Sequence, residues 1–300
     1  MPCLLLLTWL CAPALQAPVD LQKRILSLVD RAASPAGERA NDAREVLDVS
    51  IALLPLDGRS GMVIQPEKEF HAASTMKVPV MMELFRQAEA GLLRLDEPLA
   101  VKNEFHSIVD GSVYQLSVGD DSDAEVYKNI GKSMTLRALC EAMITVSSNF
   151  ATNLLIERVG VENIRATVSR LGASGMNVLR GVEDQKAFDK GLNNSTTATA
   201  LATLMLKIGT GQAVSRGADA EMVAVLGRQK FNDAIPAGVP AGTRVAHKTG
   251  TITKIHHDAA IVYGPRPYVL VILVRGIQDQ KASAALMASI SREIWSAMQR

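Results

Sequence analysis

The spacing of apolar residues changes period along the chain. Leu21, Ile25, Leu28 and Val29 recur at helical spacing and predict a helix over Leu21 to Ala32. Val46 to Leu56 is instead dense in Val, Ile and Leu and stops at Asp57-Gly58. Gly61-Met-Val-Ile64 follows, which predicts two strands joined as a hairpin. From Ser74 the helical period returns and runs to Ala90, where Gly91 ends it. Pro79 falls inside that helix and is expected to kink it.

Leu92 to Lys132 is punctuated by Asp-Gly, Gly-Asp and Asp-Ser pairs and reads as loops with short elements. Helices are predicted over Thr135–Val146, Phe150–Val159, Val161–Leu171, Thr196–Ile208 and Ala218–Gln229. Residues 173–195 lack clear periodicity and form a long loop, a kind of segment that often carries function. After Gly242 the pattern becomes that of strands, at Val245–Gly250, Ala259–Tyr263 and Tyr268–Val274. Lys281 to Gln299 closes the chain as an amphipathic helix. Strands at both ends with helices between them imply an α/β fold. The expected architecture is an antiparallel sheet of about five strands, built from both chain ends and flanked by terminal helices, with a helical lobe inserted between its second and third strands. One catalytic domain over 18–300 is expected, with an α/β lobe of 18–73 and 216–300 and a helical lobe of 74–215.

Composition narrows the class. The 300 residues are 48% hydrophobic and 21% charged, with 32 Lys plus Arg against 31 Asp plus Glu and a net charge of +1. Disorder and collagen-like repetition are excluded. The charge balance argues against a nucleic-acid partner, and no apolar run reaches the ~20 residues that span a bilayer. Residues 1–17 carry no charge, with an apolar block at Leu4–Leu10 followed by Ala12, Ala14 and Ala17. That pattern reads as a signal peptide, although a basic n-region is missing, and places the mature chain in the periplasm or outside the cell. Its removal takes Cys3 and Cys11, leaving Cys140 in an apolar stretch as plain core, with no intramolecular disulfide.

Three short motifs carry candidate chemistry. Ser74-Thr75-Met76-Lys77 pairs a weak nucleophile with a potential base three residues on, on one helix face. Composition alone yields about one such motif by chance, and taken alone a helix cap followed by a solvated lysine is the better explanation. Ser147-Ser148-Asn149 lies between two predicted helices. Ser147 suits a proton shuttle and Asn149 a hydrogen-bonding role toward a substrate amide or Lys77, while the plainer reading is a cap on the next helix. Lys248-Thr249-Gly250 follows a strand pattern, with a cation and a hydroxyl suited to a carboxylate and a glycine that lets a ligand lie along the edge. Its plainer reading is a strand end with a turn glycine. About 0.1 such triplets are expected by composition, so this one is more informative.

The order of all three is more telling than any one. Together they resemble the class A β-lactamase family, and the likeness runs from about residue 20 to 300. Ser147-Ser-Asn-Phe-Ala-Thr-Asn-Leu-Leu155 is similar to that family's second motif and its helix, with Ser148 standing where Asp is usual. Thr196-Thr197 resembles the start of the helix after its omega loop. The resemblance implies an exported serine β-lactamase, associated with antibiotic resistance. Ser74 is then the acylated nucleophile and Lys77 its base or relay. Ser147 is the proton donor toward the leaving nitrogen, and Lys248 anchors the substrate carboxylate. Asn149, Thr249, Gly250 and Thr251 line the substrate, and the backbone N–H groups of Ser74 and Thr251 form an oxyanion hole. A small-molecule β-lactam is the expected partner, for a monomer needing no cofactor or metal. Lys77 is expected to be partly neutral, through burial, Lys248 and Asn149.

One departure concerns deacylation. The family's Glu-x-x-Leu-Asn is missing. Asp189-Lys-Gly-Leu-Asn193 keeps the local spacing with an aspartate but lies too near Thr196. Glu183, or Asp184 beside it, lies at the right distance with Arg180 before it, and Glu183 is the preferred candidate to activate the deacylating water. If none of these aligns with the water, acylation outruns deacylation. A D-alanyl-D-alanine peptidase-like serine hydrolase, or a non-turnover β-lactam or cell-wall-binding protein, is then the alternative. Histidines offer no rival chemistry. Adjacent His256 and His257 point to opposite faces of a strand, His247 reads as packing or surface, and His71 and His106 have no evident partners.

Overall fold

The computed structural model describes residues 19–33 and 47–299. The proposed signal segment with Cys3 and Cys11, and Val46 of the first expected strand, lie outside the described residues. In chain order the strands are β1 (Asp48–Pro55), β2 (Met62–Ile64), β3 (Phe70–His71), β4 (Pro98–Ala100), β5 (Phe105–His106), β6 (Val113–Tyr114), β7 (Ser133–Thr135), β8 (Ser195–Thr196), β9 (Arg244–Ile252), β10 (Ile255–Tyr263) and β11 (Tyr268–Arg275). The helices are α1 (Val19–Ala33), α2 (Lys77–Glu89), α3 (Leu136–Thr145), α4 (Asn149–Val159), α5 (Val161–Arg170), α6 (Gln185–Asp189), α7 (Ala198–Gly209), α8 (Arg216–Leu226) and α9 (Gln280–Met298).

The main sheet is antiparallel, five-stranded and ordered β2-β1-β11-β10-β9, so its centre joins the two ends of the chain. Residue alternation divides its side chains between two cores. Val49, Ile51 and Leu53 of β1 and Leu270, Ile272 and Val274 of β11 pack with Leu21 and Ile25 of α1 and with Met287, Ile290 and Ile294 of α9. Ala52, Val269, Val271 and Leu273 point the other way, into the core shared with the inserted helices, where α7 lies on β1, β10 and β11. Each fully buried Leu or Ile contributes about 1.5–3 kcal/mol. A one-residue slip would swap every side chain between the two cores, and this fixes the register from Asp48↔Arg275 to Pro55↔Tyr268. The hairpin needs Gly61, because a Cβ there would sit 1.9 Å from the Leu53 carbonyl oxygen.

Helix starts follow cap chemistry. Thr135, Ser148, Thr197 and Ser215 accept from the N–H three residues on, opening α3, α4, α7 and α8. Pro79, expected to kink its helix, does not interrupt α2, which runs unbroken over Lys77–Glu89. Pro79 is the third residue of α2, where its missing N–H falls among the first-turn donors that have no intrahelical acceptor. The 173–195 segment is irregular as expected, apart from the short α6 within it.

Candidate active site

β3 leads into a 3-10 turn at Ala73–Met76, which continues directly into α2 and carries Ser74 at its second position. Ala73 before it holds φ at +46°, a left-handed conformation. β9 runs against this turn, and a glycine eases the approach. A Cβ at Gly250 would lie 3.1 Å from the backbone nitrogens of both Ser74 and Thr75. Ser74 Oγ makes no hydrogen bond among the described residues and lines a cavity of about 520 Å³. Lys77, one turn on, is fully buried. Its Nζ donates to the Ser147 carbonyl oxygen at 2.6 Å, to Ser147 Oγ at 3.2 Å and to Asn149 Oδ1 at 2.8 Å.

Both readings of the Ser-Ser-Asn motif hold, on adjacent residues. Ser148 is the helix cap, accepting from Ala151 N at 3.3 Å. Ser147 sits just outside the helix with φ +60° and turns toward the two lysines. Lys248 reaches it from β9, with Nζ 3.0 Å from Ser147 Oγ and 2.8 Å from the Thr249 carbonyl oxygen. Lys248 is also fully buried, and Thr249 and Thr251 form the cavity wall on its strand.

Burial dominates the electrostatics. It draws the Lys77 ammonium down to about 7, while the carboxylates of Asp121 and Glu183 pull it back up. Burial rather than Lys248 or Asn149 is therefore what lowers it. Lys248 falls well below its ordinary value, through burial first and the charge of Lys77 second, with Asp258 opposing. A protein interior does not hold two adjacent ammonium ions cheaply, so burial and mutual repulsion both favour the neutral amine, the form able to accept a proton.

Geometry also separates the three candidate acids of the long loop. Glu183 Oε1 accepts from Asn149 Nδ2 at 3.0 Å, and its backbone adopts φ +61°. Burial raises its carboxyl group, helped by Asp120, while Lys77 and Arg180 oppose. Asp184 is spent on structure: it is buried and accepts from Ser107 Oγ at 2.9 Å, Ile108 N at 3.0 Å and Ala187 N at 3.1 Å. Asp189 accepts from Gln185 Nε2 at 2.6 Å on the exposed side of α6. Arg180 shapes the loop, donating to the carbonyl oxygens of Leu192 at 2.8 Å and Gly181 at 2.9 Å and to Asn193 Oδ1 at 3.1 Å. Glu183 lines a second cavity of about 460 Å³, which shares Ser74, Asp120, Asn149 and Thr251 with the first. Of the five non-glycine residues with positive φ among the described residues, Ala73, Ser147 and Glu183 lie at this site. Backbone strain collects where side chains must be aimed.

Two features escape the sequence, and a third resolves an open choice. Asp121 fixes the start of α4, accepting from the N–H groups of Asn149 and Phe150, both at 2.9 Å, and from Tyr127 OH at 3.1 Å. Its signal is an acidic residue in an irregular run that pairs with a helix start distant in sequence. His71 does have partners: its Nδ1 accepts from Ala73 N at 3.0 Å and its carbonyl oxygen from His257 Nε2 at 3.0 Å. His247 is buried rather than on the surface, with Nδ1 2.9 Å from Asp258 Oδ1 and Nε2 3.1 Å from Asn232 Oδ1. His256 and His257 diverge as expected, His256 toward the cavity and His257 against Phe70.

Comparison with known proteins agrees with this geometry. A β-lactamase of Bacillus licheniformis is 26% identical over 266 residues, 85% of this chain and 81% of that protein. A PBP-A variant, solved as an acyl-enzyme complex with penicillin G, superposes with a TM-score of 0.79 at 26% identity, covering 96% of this chain and 99% of that one. An ancestral class A β-lactamase shares the fold with a TM-score of 0.76 at 24% identity, over 92% of this chain and 99% of that one. The model of the β-lactamase enzyme family matches residues 38–298. With that match spanning most of its length and the class A fold around its serine, the chain belongs to the β-lactamase enzyme family.

Proposed function

We propose that the protein hydrolyses the amide bond of β-lactams through an acyl-enzyme on Ser74. The observation that carries this reading is convergence: Ser74, Ser147, Asn149, Thr249 and Thr251 line one cavity, and Lys77 and Lys248 both reach Ser147 Oγ behind it. In acylation Ser74 Oγ attacks the lactam carbonyl carbon and gives its proton to neutral Lys77 Nζ. The C–N bond then breaks, and Ser147 Oγ passes a proton to the leaving nitrogen, resupplied from the lysines it bonds. The N–H groups of Ser74 and Thr251 receive the developing oxyanion, an interaction that contributes about 3 kcal/mol per donor in comparable sites. The hydroxyls of Thr249 and Thr251 meet the substrate carboxylate, with Lys248 behind them. In deacylation Glu183, held by Asn149, takes a proton from the water that attacks the ester. The uncharged segment at residues 1–17 supports export of the chain to the periplasm or the medium as part of the same proposal.

Purified protein with a chromogenic cephalosporin tests the reading. Sustained turnover, abolished in Ser74→Ala, is expected. A burst of one equivalent followed by arrest would instead favour a slow-deacylating peptidase-like protein. Full turnover by Ser74→Ala would overturn the mechanism.

A further inference from the structure

His71 stands outside the residues assigned above, yet it touches the nucleophile's turn. Its Nδ1 accepts from Ala73 N, two residues on and one residue before Ser74. A ring nitrogen that accepts carries no proton, so the His71 proton resides on Nε2. The same logic fixes His257, whose Nδ1 accepts from Val274 N at 3.2 Å and whose Nε2 donates to the His71 carbonyl oxygen at 3.0 Å. Two neutral imidazoles thus connect the C-terminal end of β11, at Val274, to the turn that presents Ser74. The contact matters because Ala73 is held at φ +46°, which an L-residue keeps only when its surroundings enforce it. Neighbouring bonds brace the same turn: Ala72 N donates to the Asn194 carbonyl oxygen at 2.8 Å, and Thr75 Oγ1 to the Ala72 carbonyl oxygen at 2.6 Å.

We infer that His71 is a positioning residue for acylation: its unprotonated Nδ1 holds the Ala73 N–H, and so the backbone that aims Ser74. Protonation puts a hydrogen on Nδ1, facing the Ala73 N–H, and removes the acceptor. The turn then loses its support, and acylation fails at acid pH. The titratable groups around His71 are Arg180, Glu183 and Asp184 from the loop, Asp120 across the shared cavity, His257 from β10, and Arg275 over the ring of Phe70. Burial and the Arg180 charge both keep His71 below the ordinary histidine value of 6.5, so it is neutral at pH 7. The inference rests on Ser74 being the nucleophile.

Asparagine separates the hydrogen bond from the titration. An Asn side chain accepts from the N–H two residues on, as in an Asx turn, and does not ionise in this range. Stopped-flow acylation by a chromogenic cephalosporin, with mass spectrometry of the adduct, is to be followed between about pH 5 and 8. At pH 7, His71→Ala is expected to slow acylation by about 100-fold, the scale of a small misplacement of a reacting group. His71→Asn recovers most of that loss, and its acylation falls less steeply than wild type as pH drops below 7, because only the Lys77 titration remains. Wild-type acylation by His71→Ala, or a His71→Asn profile that superimposes on wild type, would overturn the assignment. If His71→Ala melts too low to assay, the His71→Asn profile alone decides. Absence of any adduct on the wild-type protein is a different result, which overturns the reading of Ser74 itself.

Discussion

Lys77 and Lys248 share one hydrogen-bond acceptor, reaching Ser147 Oγ at 3.2 and 3.0 Å from opposite lobes. A serine hydroxyl has two lone pairs and one proton. While both amines donate to those lone pairs, the Ser147 proton is free to point toward the cavity, the direction of a leaving nitrogen.

Lys77 links activity and stability to pH. Its folded value is about 7 against an ordinary 10.5. Acylation is expected to rise with pH through about 7 as the amine forms. Between these two values the unfolded chain binds the proton and the native protein does not, so native stability rises over that window. The melting temperature of wild type relative to Lys77→Met should therefore climb as pH increases from 7 toward 10.5, with the penalty complete below 7. A pH-independent difference would show that Lys77 keeps its ordinary basicity.

Glu183→Gln keeps the Asn149 contact but removes the base. Acylation should persist, while deacylation slows by about 10²–10⁴-fold, the usual worth of a general base. Mass spectrometry then finds a persistent adduct. Asp184→Asn weakens the α6 cap and the Ser107 and Ile108 bonds, so it should lower the melting temperature without trapping the adduct. The opposite pattern would move the catalytic role to Asp184.

Gly250→Ala tests the close approach of β9. The new methyl group would press on the backbone nitrogens of Ser74 and Thr75 at 3.1 Å, and backbone yields less readily than a side chain. Acylation is expected to fall by about 10–100-fold with the fold retained. Unaltered kinetics would mean that the turn has room to retreat.

Glu83 tests the inserted lobe. Buried in α2, it accepts from Arg86 Nε and Nη2, Gln87 Nε2 and Thr167 Oγ1, all at 2.7 Å. Burial pushes its carboxyl group up, but the bonds from Arg86, Thr167 and Gln87 outweigh it and leave the group below its ordinary 4.5. The stabilisation is present above that value and lost as pH falls through the lower folded one. Glu83→Gln should cost about 1–3 kcal/mol in urea unfolding at neutral pH. The difference should shrink in acid, and a constant difference would rule out the charge as its source.

Much of this molecule was legible because its signals are local. The alternation of Leu270, Ile272 and Val274 against Val271 and Leu273 declares a strand buried on both faces, and capping Thr and Ser residues mark the helix starts. The site motifs were legible for the same reason, as each lies at the boundary of an element. What stayed hidden is paired across distance. His71 touches Ala73 nearby, but its bond to His257 depends on two strands meeting. Asp121 matters only because α4 begins beside it. Pro79 misled because its effect depends on where the helix begins. Spacing narrowed the choice among Glu183, Asp184 and Asp189, but the hydrogen bond from Asn149 distinguishes Glu183 in space.

The central ladder of the main sheet pairs residues 48–55 with 268–275. A ribosome has therefore emitted more than 200 residues beyond β1 before that strand meets β11. Until then the Val, Ile and Leu side chains of that strand remain without shelter, and the wall carrying Lys248 and Thr251 does not yet face Ser74. Reactivity arrives only once β9 to β11 are in place, and loss of those strands would leave the serine with nothing to work against.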